Sequence, residues 1–242
     1  MSVGIVLMSR IPIPGKTKTR LQSHLSPQEC AELHKAFLKD ITKMLTKVSK
    51  MRQDVKLYLA YTPSGKESIL ESLIPKEFNF FAQEGNDLGE KMYNALNYAY
   101  EDGNDRQIIM GSDLPALQPN NILKAIDRLL QDDIVLGPSF DGGYYLMGTR
   151  EAKRFLFDDL VWGKDEVLEA TIELIQKESN LQYSLVDQCA DIDLYQELLE
   201  LYQRLLVEGN WELYPKATAK FTKELFGSEN KLGGTYLCPV TR

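Results

Sequence analysis

Two loops hold the residues with the clearest chemical capacity. Arg10-Ile-Pro-Ile-Pro-Gly-Lys-Thr-Lys-Thr-Arg20 gathers Lys16, Lys18 and Arg20 beside Gly15, directly after the apolar run Val3 to Ser9. Gly111-Ser112-Asp113-Leu114-Pro115 presents a single carboxylate after a second apolar run, Gln107 to Met110. A proline-shaped cationic turn with one flexible glycine suits a diphosphate. An aspartate off the carboxyl end of a strand suits Mg2+ or Mn2+, which favour oxygen ligands and can bridge a carboxylate to phosphate oxygens. Together the loops point to metal-assisted chemistry on an activated nucleotide. Taken singly, each has a plainer explanation: a solvated basic loop, and a turn or helix cap.

The ending Gly15-Lys16-Thr17 superficially matches a P-loop, but that pattern needs a glycine where this chain has Arg10, and two prolines stiffen the segment. Further polar groups recur at the ends of apolar runs. Asp191-Ile192-Asp193 offers either a second metal ligand, at Asp193, or a cap for the helix that follows. Gln83 could read a base edge, and Gly89 could let backbone approach a flat ring; the same stretch also reads as a polar loop with Asp87 as a cap. Asp141-Gly142-Gly143-Tyr144 reads either as a close-approach loop with an acceptor-side carboxylate or as a hairpin turn. His24 and His34 read as surface residues, too few for an imidazole metal centre. Neither G-x-S-x-G nor G-x-G-x-x-G occurs.

The elements that must position these residues alternate. Short apolar runs at Val3 to Ser9, Val55 to Tyr61, Phe78 to Gln83, Arg106 to Met110, Ile134 to Gly137, Tyr144 to Met147 and Tyr183 to Val186 read as strands. Helices are expected from Ser26 to about Lys50, from Asp87, over Asn120 to Gln131, Lys164 to Glu178 and Leu194 to Val207, with one more over Pro215 to Phe226. This alternation predicts a mainly parallel sheet covered on both faces. The chain has 242 residues, 43% hydrophobic and 26% charged, ordinary for one main soluble domain. Residues 1–208 are expected to form it, with 209–242 as an extension that packs on the domain or supplies a homodimer contact. A net charge of −7 argues against a nucleic-acid partner, so the cationic loop suggests a small anion. No run approaches the roughly 18 residues of a membrane span, and the N-terminus lacks a signal-peptide pattern, so a cytoplasmic location is expected. Cys30, Cys189 and Cys238 are too scattered for a disulfide framework or a zinc site.

At this point the motifs carry a resemblance. Pro14 to Leu21, Gln83 with Asp87-Leu88-Gly89, Gly111 to Pro115, Gly137 to Leu146, and Trp162 resemble the bacterial glycosyltransferase A (GT-A) family of arsenosugar-biosynthesis and cell-envelope clusters. More distantly, the chain is similar to molybdenum-cofactor and phospholactate guanylyltransferases. The resemblance implies a Rossmann-like, three-layer α/β/α nucleotide-diphospho-sugar transferase fold with a mostly parallel sheet of about seven strands. It implies a nucleotide held by Gly15, Lys16, Lys18, Arg20, Gln83, Leu88, Gly89 and Ser112. An acceptor would meet Asp141, Gly142, Gly143, Tyr144 and Trp162, and a divalent ion would sit on Asp113, with Asp193 the second ligand offered by its position after the late strand. Catalysis would fall to Asp113, Lys18, Arg20 and Asp141. Sugar transfer from a nucleotide-diphospho-sugar is the leading expectation. Ser112-Asp113-Leu114-Pro115 departs from the usual Asp-x-Asp, closer to the nucleotidyltransferase form, so a guanylyltransferase-like release of pyrophosphate is the alternative. A nucleotide-binding module without activity is the third.

Overall fold

In the computed structural model the described residues are 2–158, 160–163, 166–178 and 180–227. Strand β1 (Val3–Arg10) leads through the cationic loop into α1 (Pro27–Met51), then β2 (Val55–Thr62), the short α2 (Ser68–Glu71) and β3 (Phe78–Ala82). Helix α3 (Leu88–Glu101), β4 (Arg106–Gly111), α4 (Pro119–Arg128), β5 (Ile134–Pro138) and β6 (Tyr144–Thr149) follow. The described chain closes with α5 (Val167–Lys177), β7 (Tyr183–Leu185), α6 (Tyr195–Leu205) and α7 (Lys216–Phe226). Of the helix expected over Lys164 to Glu178, Glu166 and Glu178 lie just outside α5, while Lys164, Asp165 and the tail expected over 228–242 lie outside the described residues.

Local chemistry explains the longest helix. Ser26 Oγ accepts from the Glu29 N–H at 3.2 Å, the Glu29 carboxylate accepts from the Ser26 N–H at 2.8 Å, and Pro27 occupies the first helical position, so a capping box closes the start of α1. The seven strands order as β3-β2-β1-β4-β6-β5-β7. All neighbours are parallel except β6, which runs against both β4 and β5. This is the expected mostly parallel sheet of a nucleotide-diphospho-sugar transferase fold.

Alternation along β1 divides the core. Ile5 and Leu7 face α1 and α4 in one apolar layer, whereas Val6 faces α3 and α5 in the other. A third cluster joins the N-terminal half of α1 (Leu33, Phe37) to α6 (Leu198, Leu201) and α7 (Leu225, Phe226). Asp40 of α1 fixes that junction from across the chain by accepting from the Ala217 N–H at 3.1 Å and the Thr218 N–H at 2.7 Å, the orphan donors of α7. Asp40→Ala is therefore expected to destabilise the protein by about 1–2 kcal/mol, as loss of a helix cap does. A shift of the urea-unfolding midpoint measures it, and an unchanged midpoint would show that this cap contributes nothing to stability.

Candidate functional site

The sheet order itself opens a crevice. From β1 the chain crosses to β2 on one side, and from β3 it returns across to β4 on the other, so the loops leaving the neighbouring strands β1 and β4 diverge at their carboxyl ends. The cationic loop and the Asp113 loop face each other there.

Pro14 and Gly15 close the turn at the base of the cationic loop, with the Lys16 N–H donating to the Ile13 carbonyl at 3.0 Å. Gly15 holds φ +78°, the left-handed conformation that a proline-glycine turn needs at this position. Thr17 is buried and ties the loop down, donating to the Ile11 carbonyl at 3.0 Å and accepting from the Ile13 N–H at 3.2 Å. Lys18 then adopts φ 50°, ψ 45°, and its side chain turns inward. Its ammonium lies 2.9 Å from Asp113 Oδ1, 3.0 Å from Asp193 Oδ1 and 2.5 Å from the Ile192 carbonyl, with only 3% of the side chain exposed. Burial alone would lower the Lys18 pKa, yet the charges of Asp113 and Asp193 raise it above its ordinary value. At Asp113 burial pushes the carboxyl up, but the same ammonium and the neighbouring His34 and Arg10 together hold it below the usual range.

This geometry changes the expected role of Lys18. An ammonium has three donors, and three protein acceptors surround this one, so Lys18 is a clasp between the Asp113 and Asp193 loops rather than a free phosphate contact. Asp193 Oδ2 meets Arg20 Nη1 at 3.1 Å, leaving the Arg20 guanidinium mostly exposed toward the crevice mouth. Asp193 does not cap α6; there the Glu197 carboxylate accepts from the N–H groups of Asp193 and Leu194, each at 2.7 Å.

His34 departs from its expected surface position. It is 2% exposed and lines the crevice, donating from Nε2 to the Arg10 carbonyl at 3.1 Å, while Nδ1 lies 3.7 Å from Asp113 Oδ1. Burial lowers its pKa, so it is a neutral ring beside the carboxylate. His24 is exposed and stacks on Tyr195. Periodicity could have flagged His34: it follows Leu33 and precedes Phe37 on the apolar face of α1.

The crevice has two lobes that share Met8, Leu88, Gly111 and Asp113. One, of about 470 Å³, is polar and is lined by Arg10, Lys18, Arg20, Gln83, Lys91 and Ser112, among others. Arg10 and Lys91 were not singled out in the sequence. Gly15 and Lys16 lie outside its lining, and the Lys16 carbonyl instead accepts from Arg10 Nη1 at 3.1 Å. Gln83 spends its amide N–H groups on the Ala60 and Ser9 carbonyls, at 2.9 and 3.3 Å, so only its carbonyl oxygen can read a ligand. Ser112 is buried and donates to Ser9 Oγ at 3.2 Å.

The other lobe, of about 270 Å³, is lined largely by apolar side chains, and Asp113, Asp141, Asp191, Tyr144 and Trp162 also border it. Asp141 is partly spent on its own turn: its Oδ1 accepts from the Ser139 hydroxyl and from the Gly143 N–H. Gly142 takes φ +83°, and its carbonyl accepts from the Leu168 N–H at 3.0 Å, pinning the loop to α5 outside the lobe's lining. Burial, with the nearby charges of Asp141 and Asp193, pushes Asp191 up to about 6. Gly89 abuts not a ligand's ring but the protein's own: a Cβ there would lie 2.5 Å from the Phe157 carbonyl oxygen and 2.6 Å from Trp162 Nε1. Gly89→Ala should consequently displace Trp162. A shifted tryptophan emission maximum would report it, and an unchanged one would refute the contact.

Among the described residues, no three carboxylate, histidine or cysteine side chains form a ready metal cage. The donor chemistry nevertheless suits a hard cation: Asp113 and Asp191 are oxygen ligands facing one lobe. Asp193 fits that role poorly, because Lys18 and Arg20 already take both its oxygens.

A seven-stranded sheet with this crevice at its switch point defines the nucleotide-diphospho-sugar transferase fold. A crystal structure from Desulfovibrio desulfuricans G20, provisionally named a nucleotide-diphospho-sugar transferase, is 30% identical, with a TM-score of 0.80 over 93% of this chain and 98% of that one. A cytidylyltransferase from Leptospira borgpetersenii shares the fold at 15% identity, with a TM-score of 0.55 over 93% of this chain and 95% of its own. The chain belongs to the family described as "Uncharacterized protein conserved in bacteria (DUF2064)", whose profile matches residues 44–164. A 2-phospho-L-lactate guanylyltransferase from Methanobrevibacter ruminantium is 31% identical over 134 residues, 52% of this chain and 55% of the relative. One from Methanothermobacter thermautotrophicus is 30% identical over 127 residues, 52% and 53% respectively. The chain thus spans about half the length of these curated relatives. No helix among the described residues is long and apolar enough to cross a membrane.

Proposed function

We propose that this protein is a nucleotidyltransferase: a nucleoside triphosphate occupies the polar lobe, an acceptor occupies the apolar lobe, and pyrophosphate leaves. The observation that carries this reading is the meeting of the two lobes at one carboxylate, Asp113, where Gly111 stands in place of the first aspartate of an Asp-x-Asp pair. The names of the guanylyltransferase relatives support it.

In this scheme Arg10, Arg20 and Lys91 neutralise the triphosphate, and the Gln83 carbonyl oxygen meets the base. Lys18 holds Asp113 and the Asp193 loop in register. Asp113 and Asp191 would hold Mg2+ or Mn2+, which supplies charge neutralisation at the reacting phosphate when bound. Asp141, through the oxygen not used in its turn, takes the acceptor proton.

Sugar transfer is the second reading. It is favoured by the provisional name of the Desulfovibrio structure and by the resemblance to glycosyltransferases of arsenosugar and cell-envelope clusters. The two part on one experiment. Each of the four nucleoside triphosphates and a panel of nucleotide-diphospho-sugars is incubated with protein, Mn2+ and a mixed pool of alcohols and phosphate esters. Pyrophosphate release from a triphosphate is the expected result; turnover of a nucleotide-diphospho-sugar with no pyrophosphate would replace this reading by the second.

A further inference from the structure

We infer that the acceptor is an uncharged alcohol with an apolar, ring-sized body rather than a phosphorylated compound; this rests on the proposed assignment of the apolar lobe to the acceptor. Two features of the lobe carry the inference. Its walls are mostly carbon: Leu88, Met92, Leu114 and Val167 line it together with Tyr144 and Trp162, whose ring centroids lie 6.3 Å apart at 82°. Such an edge-to-face pair presents flat apolar surface to a ring.

The polar groups are the second feature. Among the described residues the lining contains no lysine, arginine or histidine, and its charged members are Asp113, Asp141 and Asp191. Ionised carboxylates only accept, so they recognise a hydroxyl hydrogen. A phosphate dianion has no hydrogen to offer them; Lys18 already pairs Asp113, and a divalent ion held with Asp191 would do no more than balance that charge, so Asp141 still opposes an anion in either case. The cations lie in the neighbouring lobe, where Arg10, Arg20 and Lys91 face the space assigned to the triphosphate. The crevice is therefore divided by charge, with phosphates on one side of Asp113 and a phosphate-free acceptor on the other.

In the resulting step the acceptor hydroxyl oxygen bonds to the α-phosphorus. The bond from that phosphorus to the bridging oxygen of the β-phosphate breaks, pyrophosphate carries away the electron pair, and the hydroxyl proton passes to Asp141.

The test compares a matched pair of probes, 2-phenylethanol and 2-phenylethyl phosphate, on the whole protein carrying Trp211→Phe, so that Trp162 is the reporting fluorophore. Each probe is titrated with and without Mg2+. The expected result is saturable quenching by the alcohol and at least tenfold weaker binding of the ester in both conditions, because juxtaposed like charges cost several kcal/mol. Leu88→Lys, at a side chain already 45% exposed, adds a cation to the lobe and should narrow or reverse the difference. The inference is overturned if the ester binds as tightly as the alcohol in either condition, or if neither probe quenches. A thermal-shift titration with nucleoside triphosphate on the same sample keeps the two levels apart. A shift together with ester preference discards this acceptor class alone, and no shift discards the proposed function.

Discussion

Asp113→Asn is expected to lower pyrophosphate release about 10³-fold while the protein stays folded and still binds triphosphate. The change is isosteric. It removes the charge at the point where the two lobes meet and weakens any bridge to a divalent ion. A loss of that size corresponds to about 4 kcal/mol of barrier, within the reach of one group aimed at developing charge. Lys18 keeps Asp193 and the Ile192 carbonyl as partners, so the loop retains two of its three anchors. Single-turnover release of pyrophosphate and equilibrium nucleotide binding, measured on both proteins, give the result. Wild-type-like turnover in the variant would remove Asp113 from the chemistry. Absence of turnover in the wild type, with binding intact in both, would instead mark a nucleotide-binding module without activity.

The second large effect concerns stability, and it separates what Lys18 was expected to do from what it is placed to do. Lys18→Met keeps the aliphatic stem but leaves Asp113 and Asp193 turned toward a missing cation. Stripping one partner from a buried ion pair costs about 3–5 kcal/mol. Asp113 and Asp193 side chains are 37% and 33% exposed, so water screens part of this, and about 2–3 kcal/mol is the expected loss. For a chain of this size that lowers Tm by about 4–12 °C. Scanning calorimetry of the nucleotide-free protein measures it. A phosphate-binding lysine would instead leave Tm unchanged and weaken nucleotide binding alone.

The fold was legible because it rests on patterns local in sequence. Val3 to Ser9 is a short continuous apolar run, Ser26-Pro27-Gln28-Glu29 is a capping box, and Leu88, Met92, Ala95, Leu96 and Ala99 recur at helical spacing. Each yields its element from neighbours within a few positions. Helix α5 was bounded less well, with Glu166 and Glu178 falling just outside it, since no side-chain cap marks where it begins.

The site was legible in its location and less so in its assignments. Loops at the carboxyl ends of β1, β3, β4 and β5 carried most of the polar residues that now line the crevice, because parallel strands bring those ends to one edge whatever the intervening length. Residue type alone could not tell which polar groups the protein consumes internally. Gln83 spends its amide hydrogens on two strand carbonyls, Ser112 bonds Ser9, Asp141 closes its own turn, and Gly89 makes room for Trp162.

The chain by itself thus determined the alternating elements, the mainly parallel sheet and the edge where chemistry gathers, all of which follow from short-range periodicity and capping. Only the tertiary structure decided that Lys18 sits between Asp113 and Asp193, that His34 is buried beside them and that cations and apolar walls fall in separate lobes. The reason is that a side chain's partners at a site are set by groups up to 175 positions away in the chain. Hydrogen-bond saturation and charge pairing across such a distance leave no trace in the spacing of neighbouring residues.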